Sequence, residues 1–169
     1  GATSVLQVAS ANPDLWLFST ATRKAEPLLV QPYGEQRGAL SPNGRFLAYQ
    51  TDETDKPEVY IRELSPTGGK WQVSLNRGRC PKWRADGREL YFVTPDFDFM
   101  AVPISYERGL EIGTPVKLFN HRFIFTGINT LVPYAVTSDA KDFYILAPAE
   151  QGNAAEFIVV QNWAEELKK

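Results

Sequence analysis

Ser41-Pro42-Asn43-Gly44-Arg45-Phe46-Leu47-Ala48-Tyr49 decides the fold, because the phrase is written three times. It returns as Arg84-Ala85-Asp86-Gly87-Arg88-Glu89-Leu90-Tyr91-Phe92 and again as Thr137-Ser138-Asp139-Ala140-Lys141-Asp142-Phe143-Tyr144-Ile145. Each copy is a turn, a basic residue and then an apolar, aromatic strand. Asn43-Gly44 and Asp86-Gly87 suit tight hairpins, since Gly and Asn tolerate positive φ. The third copy puts Ala140 in the glycine slot, where positive φ is strained, so a different turn type is expected there.

The copies begin at 41, 84 and 137, giving periods of 43 and 53 residues. Periods of this size with several strands per unit indicate propeller blades. The rest of the unit repeats as well. A second strand follows each turn: Glu58-Val59-Tyr60-Ile61-Arg62, Met100-Ala101-Val102-Pro103-Ile104 and Phe157-Ile158-Val159-Val160. A third follows in two copies, Lys70-Trp71-Gln72-Val73-Ser74 and Pro115-Val116-Lys117-Leu118-Phe119. Upstream, Asp14-Leu15-Trp16-Leu17-Phe18 matches the second strand and Glu26-Pro27-Leu28-Leu29-Val30 the third. These are β-branched and aromatic runs bounded by Gly, Pro, Asn and Asp.

The fold class predicted is all-β: a partial β-propeller of about four blades, each an antiparallel four-stranded sheet, with incomplete end blades. The strand count runs three (starting at Leu6 to Ser10), four, four and three. The chain reads as a single segment over 1–169, with blades at about 1–35, 36–78, 79–122 and 131–169. The surplus of the longer period falls in an inserted loop, 120–130. At the tail, Asn162 is placed to cap a helical turn over Trp163–Leu167.

Composition narrows the function classes. Of 169 residues, 18 are basic and 20 acidic, a balance without the footprint of nucleic-acid binding. No apolar run approaches the ~18 residues of a membrane span, so direct membrane insertion is not expected. Gly1-Ala2-Thr3-Ser4 does not read as a signal peptide, and the missing initiator methionine suggests a processed product or a piece of a longer protein. A single cysteine, Cys80, allows no internal disulfide.

The Ser41–Arg45 turn with its apolar strand, followed by Glu58-Val59-Tyr60, resembles the TolB-like (WD40-like) β-propeller repeat. The ending, Ile158-Val159-Val160-Gln161-Asn162-Trp163 through Lys169, is similar to propeller modules at the C-terminus of bacterial serine/threonine protein kinases. The resemblance spans about residues 10 to 169. It implies a binding or sensing module of a larger bacterial protein, in an extracytoplasmic compartment. No kinase motif is present, and Asp96-Phe97-Asp98-Phe99 is not the metal-binding one.

No serine stands in a Gly-x-Ser-x-Gly elbow, so the chain is read as non-catalytic. No cofactor is expected. One histidine, His121, and one thiol leave zinc without ligands. Asp52, Glu53 and Asp55, or Asp96 and Asp98, are the carboxylate groupings open to calcium, and solvated turn acids are the plainer reading. Cys80 is read as a buried, inert thiol. Trp16, Trp71 and Trp83 sit at repeat positions and are read as core.

The inner strand of each blade lines the channel of a propeller, and these strands start at Gln36-Arg37, Arg79-Cys80 and Val132-Pro133. Arg37 and Arg79 are therefore candidates to hold a carboxylate by paired hydrogen bonds. The plainer reading is two surface arginines paired with nearby acids. The inserted loop carries Phe123, Phe125 and Ile128, apolar residues that serve either a partner or the blade faces.

The function expected is recognition of a protein or small-ligand partner. The alternative is an accessory propeller that gates a peptidase or hydrolase. Four blades leave both ends of the arc unmatched, and a homodimer that closes the ring is the symmetric solution.

Overall fold

The computed structural model describes residues 3–8, 10–122, 132–148 and 155–161, with the backbone alone at 155–157. The fold is all-β: four antiparallel sheets follow one another along the chain. Blade 1 holds β1 (Thr3–Val8), β2 (Asp14–Ser19) and β3 (Lys24–Leu29). Blade 2 holds β4 (Glu35–Leu40), β5 (Phe46–Thr51), β6 (Glu58–Glu63) and β7 (Lys70–Gln72). Blade 3 holds β8 (Arg79–Trp83), β9 (Glu89–Val93), β10 (Asp98–Ser105), β11 (Glu111–Ile112) and β12 (Val116–Asn120). Blade 4 holds β13 (Tyr134–Val136), β14 (Asp142–Pro148) and β15 (Ala155–Gln161).

Strand alternation makes each central strand serve two interfaces. Along β5, Leu47 and Tyr49 pack toward blade 1 with Leu15, Leu29 and Tyr60, while Phe46 and Ala48 pack toward blade 3. Blade 3 answers with Trp83, Leu90, Phe92 and Val102. Its other face, with Cys80, Tyr91, Val93 and Phe99, meets Tyr134, Phe143 and Ile145 of blade 4. Phe99 stacks on Phe119 at 4.8 Å and meets Tyr134 and Phe143 edge-on at the same distance. Such buried aromatics each contribute about 1.5–3 kcal/mol, so the blade faces are the core of this molecule. Trp83 is buried and its indole N–H donates to the Ala39 carbonyl at 2.9 Å. Trp71 is half-buried against the same core, and Trp16 on β2 is half-buried outside the three core clusters.

The repeated turn is a fixed hydrogen-bond device. Gly44, Gly87 and Ala140 donate their N–H to the carbonyls of Ser41, Arg84 and Thr137 at 2.8–2.9 Å. The side-chain oxygens of Asn43, Asp86 and Asp139 accept from the N–H of Arg45, Arg88 and Lys141 at 3.0–3.2 Å. Ala140 adopts φ 58°, beside 69° for Gly44 and 75° for Gly87. The third turn therefore keeps the standard geometry, which corrects the expectation of a different type. Its methyl is buried in the core between blades 3 and 4, which offsets the backbone strain.

Two further departures are informative. The surplus of the longer period is not confined to 120–130. The connection at 106–115 is longer than its blade 2 counterpart at 64–69 and contains β11, so β11 and β12 share the outer edge of β10. The inner strand of blade 4 begins at Tyr134 rather than at Val132-Pro133. Positions 123–131 and the tail 162–169, with the predicted helical turn, lie outside the described residues.

Candidate functional site at the inner strands

The inner strands β4 and β8 each carry a bulge at the same place. In β4 the pairing passes from Gln36↔Gln50 to Ala39↔Ala48, and in β8 from Arg79↔Val93 to Lys82↔Tyr91. Two residues, Arg37-Gly38 and Cys80-Pro81, thus oppose a single residue of the neighbouring strand. Arg37 and Cys80 take φ of 52° and 56°, a conformation costing about 1 kcal/mol or more for a side chain with Cβ. The bulge turns the strand and re-aims what it carries.

Arg37 and Arg79 are consequently not equivalent. Arg79 matches Gln36 in register, and Arg37 matches Cys80. A one-residue offset sends side chains to opposite faces. Arg37 lines a cavity of about 380 Å³ at the channel, together with Val5, Gln7, Pro81, Lys82 and Val132. Arg79 is half-buried and is not among the residues lining that cavity. The Arg37 N–H donates to Gln7 Oε1 at 3.1 Å, and its Nη1 donates to Gln50 Oε1 at 2.8 Å. Its Nε is buried with no acceptor. Lys82 is half-buried, and burial pulls its ammonium below the usual lysine range. No carboxylate is present among the described lining residues. Both cations sit against an apolar wall of Val5, Leu6, Leu15 and Pro81, where an anionic group would be desolvated and strongly held.

Lys82 and Gln7 were not singled out by sequence. Aligning Arg37-Gly38-Ala39 against Cys80-Pro81-Lys82 would have found Lys82, because Gly38 and Pro81 mark the bulge in each copy. Cys80 is fully buried, and burial pushes its thiol up to about 11 against the pull of Arg37 and Arg79. Phe123, Phe125 and Ile128 lie outside the described residues.

The acidic clusters are engaged locally. Asp52 accepts from the Gly34 N–H at 2.8 Å, Glu53 pairs with Lys70, and Asp98 pairs with Lys117 at 2.6 Å. Among the described residues, no group of three or more His, Cys, Asp or Glu side chains is arranged to hold a metal ion. No helix among them is long and apolar enough to cross a membrane. A second cavity of about 340 Å³ lies between blades 2 and 3, lined by Arg77, Phe92, Asp96, Asp98 and Met100, where acids already accompany the base.

No family model and no curated protein matches this sequence. Solved structures do match. TolB from Acinetobacter baumannii superposes with a TM-score of 0.64 at 11% identity, over 94% of this chain and 38% of TolB. A Mycobacterium tuberculosis puromycin-hydrolysing peptidase gives 0.60 at 17% identity, over 96% of this chain and 27% of that one. Hydrazine synthase from Kuenenia stuttgartiensis gives 0.58 at 13% identity, over 95% and 55%. The chain thus spans between about a quarter and just over half of each of these proteins. At such identities the likeness shows the fold alone, and that fold is propeller-like.

Proposed function

We propose that this chain is a non-catalytic recognition module of a larger bacterial protein, binding an anionic group of a protein or small ligand at the channel. The observation that carries this reading is the pairing of Arg37 and Lys82, from adjacent blades, around an apolar cavity whose described lining holds no acid. Arg79, two residues before the cavity-lining Pro81 in β8, adds to the positive field there, and Phe123, Phe125 and Ile128 are the loop residues proposed to extend the contact. The resemblance of the C-terminal residues to kinase-linked propellers supports a sensor role in an extracytoplasmic setting. Calorimetric titration with glutarate tests the reading. Binding that weakens at least tenfold in both Arg37→Gln and Lys82→Gln is expected. Equal affinity in both variants, or no binding to the wild type, overturns it.

A homodimer is favoured by a separate observation. Tyr144 is 43% exposed, yet its counterparts in the repeat, Ala48 and Tyr91, are fully buried against the next blade. Leu6 on blade 1 is equally exposed, where Tyr49 and Phe92 are buried against the preceding blade. Each of these two blades thus carries an apolar face of the kind a neighbouring blade covers, and we propose that a second copy supplies that neighbour in a closed ring where further blades of the same protein do not. Sedimentation equilibrium at tens of micromolar decides it, and a clean monomer sinks the idea.

A further inference from the structure

Two connections converge between blades 2 and 3. The first runs from β7 to β8 and is pinned by a buried carboxylate. Glu58 accepts from the Ser74 hydroxyl through Oε2 and from the Arg77 N–H through Oε1, the latter at 2.9 Å. The Gly78 N–H donates to the Pro57 carbonyl at 2.9 Å, and a Cβ on Gly78 would meet that of Ser74 at 2.6 Å. Arg77 is thereby held at φ 67°, a conformation that a residue with Cβ keeps only when its surroundings impose it. The second connection is the turn from β9 to β10. There the Phe97 N–H donates to the Thr94 carbonyl and the Asp98 N–H to Thr94 Oγ1, each at 3.1 Å. Asn120 Nδ2 donates to the Asp96 carbonyl at 2.7 Å. Both backbones are fixed, and each carries one exposed charged side chain, Arg77 or Asp96.

Arg77 and Asp96 line the same cavity of about 340 Å³, yet no ion pair joins them. Neither side chain has a hydrogen-bonding or charged partner among the described residues. The neighbouring Asp98 is satisfied, by Lys117 and Asn120, both at 2.6 Å. The rest of the wall is largely apolar. Phe92 and Met100 belong to the core between the two blades, and Leu75 stands beside them, 74% exposed. Leu75 also walls an adjoining cavity of about 580 Å³ with Trp71 and Ile112, so a sizeable side chain has room to lie over it.

Two unpaired charges of opposite sign beside an apolar surface call for a ligand with the same three features. Pockets for small molecules run from about 300 to 1,000 Å³, and this one is at the small end of that range. We propose that the cavity binds a free apolar α-amino acid of the leucine or methionine type. The Arg77 guanidinium donates paired hydrogen bonds to its carboxylate, and its ammonium donates to the Asp96 carboxylate. Its side chain covers Leu75 against Phe92 and Met100, removing apolar surface from water. A dicarboxylate would set a like charge against Asp96. This site therefore differs from the one at Arg37 and Lys82 in ligand class as well as in place.

Calorimetric titration of the chain with L-leucine is compared with leucinamide, isocaproate and glycine, which lack in turn the carboxylate, the ammonium and the side chain. Each is expected to bind at least tenfold more weakly than leucine. Arg77→Gln and Asp96→Asn change exposed positions outside the core, and each should weaken leucine at least tenfold. Leu75→Ser should weaken it at least threefold, and Arg37→Gln should leave it unchanged. In NMR spectra, leucine should shift the amides of Asn76, Arg77 and Thr114. Silence of both leucine and methionine at millimolar concentration overturns the proposal. So does full affinity of leucinamide or isocaproate, or wild-type affinity in either charge variant. Leucine binding that depends on Arg37 and not on Arg77 overturns it as well, by placing the ligand at the channel. If leucine binds here while glutarate does not bind, this site stands and anion recognition at the channel falls.

Discussion

The Tyr134 hydroxyl donates to the Cys80 carbonyl at 2.7 Å, a buried hydrogen bond that fastens blade 4 to the bulge of blade 3. Trp83 does the same one step earlier, reaching from β8 to the Ala39 carbonyl of blade 2. Each bond satisfies a carbonyl at or beside a bulge, where the regular ladder is interrupted.

Tyr134→Phe is therefore expected to destabilise the fold by about 1–3 kcal/mol, since a buried carbonyl loses its donor and no volume changes. In a chain of this size that lowers Tm by about 2–4 °C per kcal/mol. Differential scanning calorimetry measures it, and an unchanged Tm would remove this bond from the account of blade docking.

Gly44 isolates the cost of the turn. Its φ is 69°, and an added methyl would meet nothing within 4 Å. Gly44→Ala should cost about 1–2 kcal/mol in urea denaturation at constant m, all of it backbone strain. Ala140 already carries that strain, so Ala140→Gly relieves it while losing a buried methyl worth about 0.8 kcal/mol, and the net change should stay within about 1 kcal/mol.

Glu35 sets a pH dependence. It is buried beside Pro13, whose carbonyl accepts its N–H at 2.7 Å, and its Oε2 has no hydrogen-bond partner. Burial, then the Asp14 carboxylate, push it up to about 7, with Lys70 and Arg62 pulling back and Glu53 pushing further. The folded state thus holds a proton that the unfolded chain releases near 4.5. Stability from this group is fully present below that pH and is lost as pH rises through about 7. The unfolding free energy of the wild type from urea denaturation should fall between pH 5 and 7 by an amount of order 2 kcal/mol, and Glu35→Gln should flatten the slope. The same slope in both proteins would assign the effect elsewhere.

Cys80 should be silent. A fully buried thiol with its acidity displaced to about 11 offers almost no thiolate at neutral pH. Ellman's reagent should fail to label it in buffer at pH 7.5 and should titrate one thiol in guanidinium. Prompt labelling of the folded protein would contradict its burial.

The sequence by itself determined the repeat, the phase of each blade and the two-sided burial of the central strands. These are local: turn chemistry at Asn43-Gly44 and Asp86-Gly87, and alternation along Phe46–Thr51, follow from neighbours in the chain. It also pointed to Arg37, because the strand before each turn must be the inner one. Tertiary structure decided the rest. The repeat alignment already sets Arg37 against Cys80 and Arg79 against Gln36; what the bulges and the packing of β1 decide is that Arg37, and not Arg79, lines the cavity. Ala140 keeps a glycine's conformation because the core between blades 3 and 4 packs its methyl, a compensation made by distant residues. The cavity exists only where β1, β4 and β8 converge, bringing Gln7, Arg37 and Lys82 together from three sheets. Contacts of that separation are fixed by how blades pack, and the packing of whole sheets is not written in any one strand.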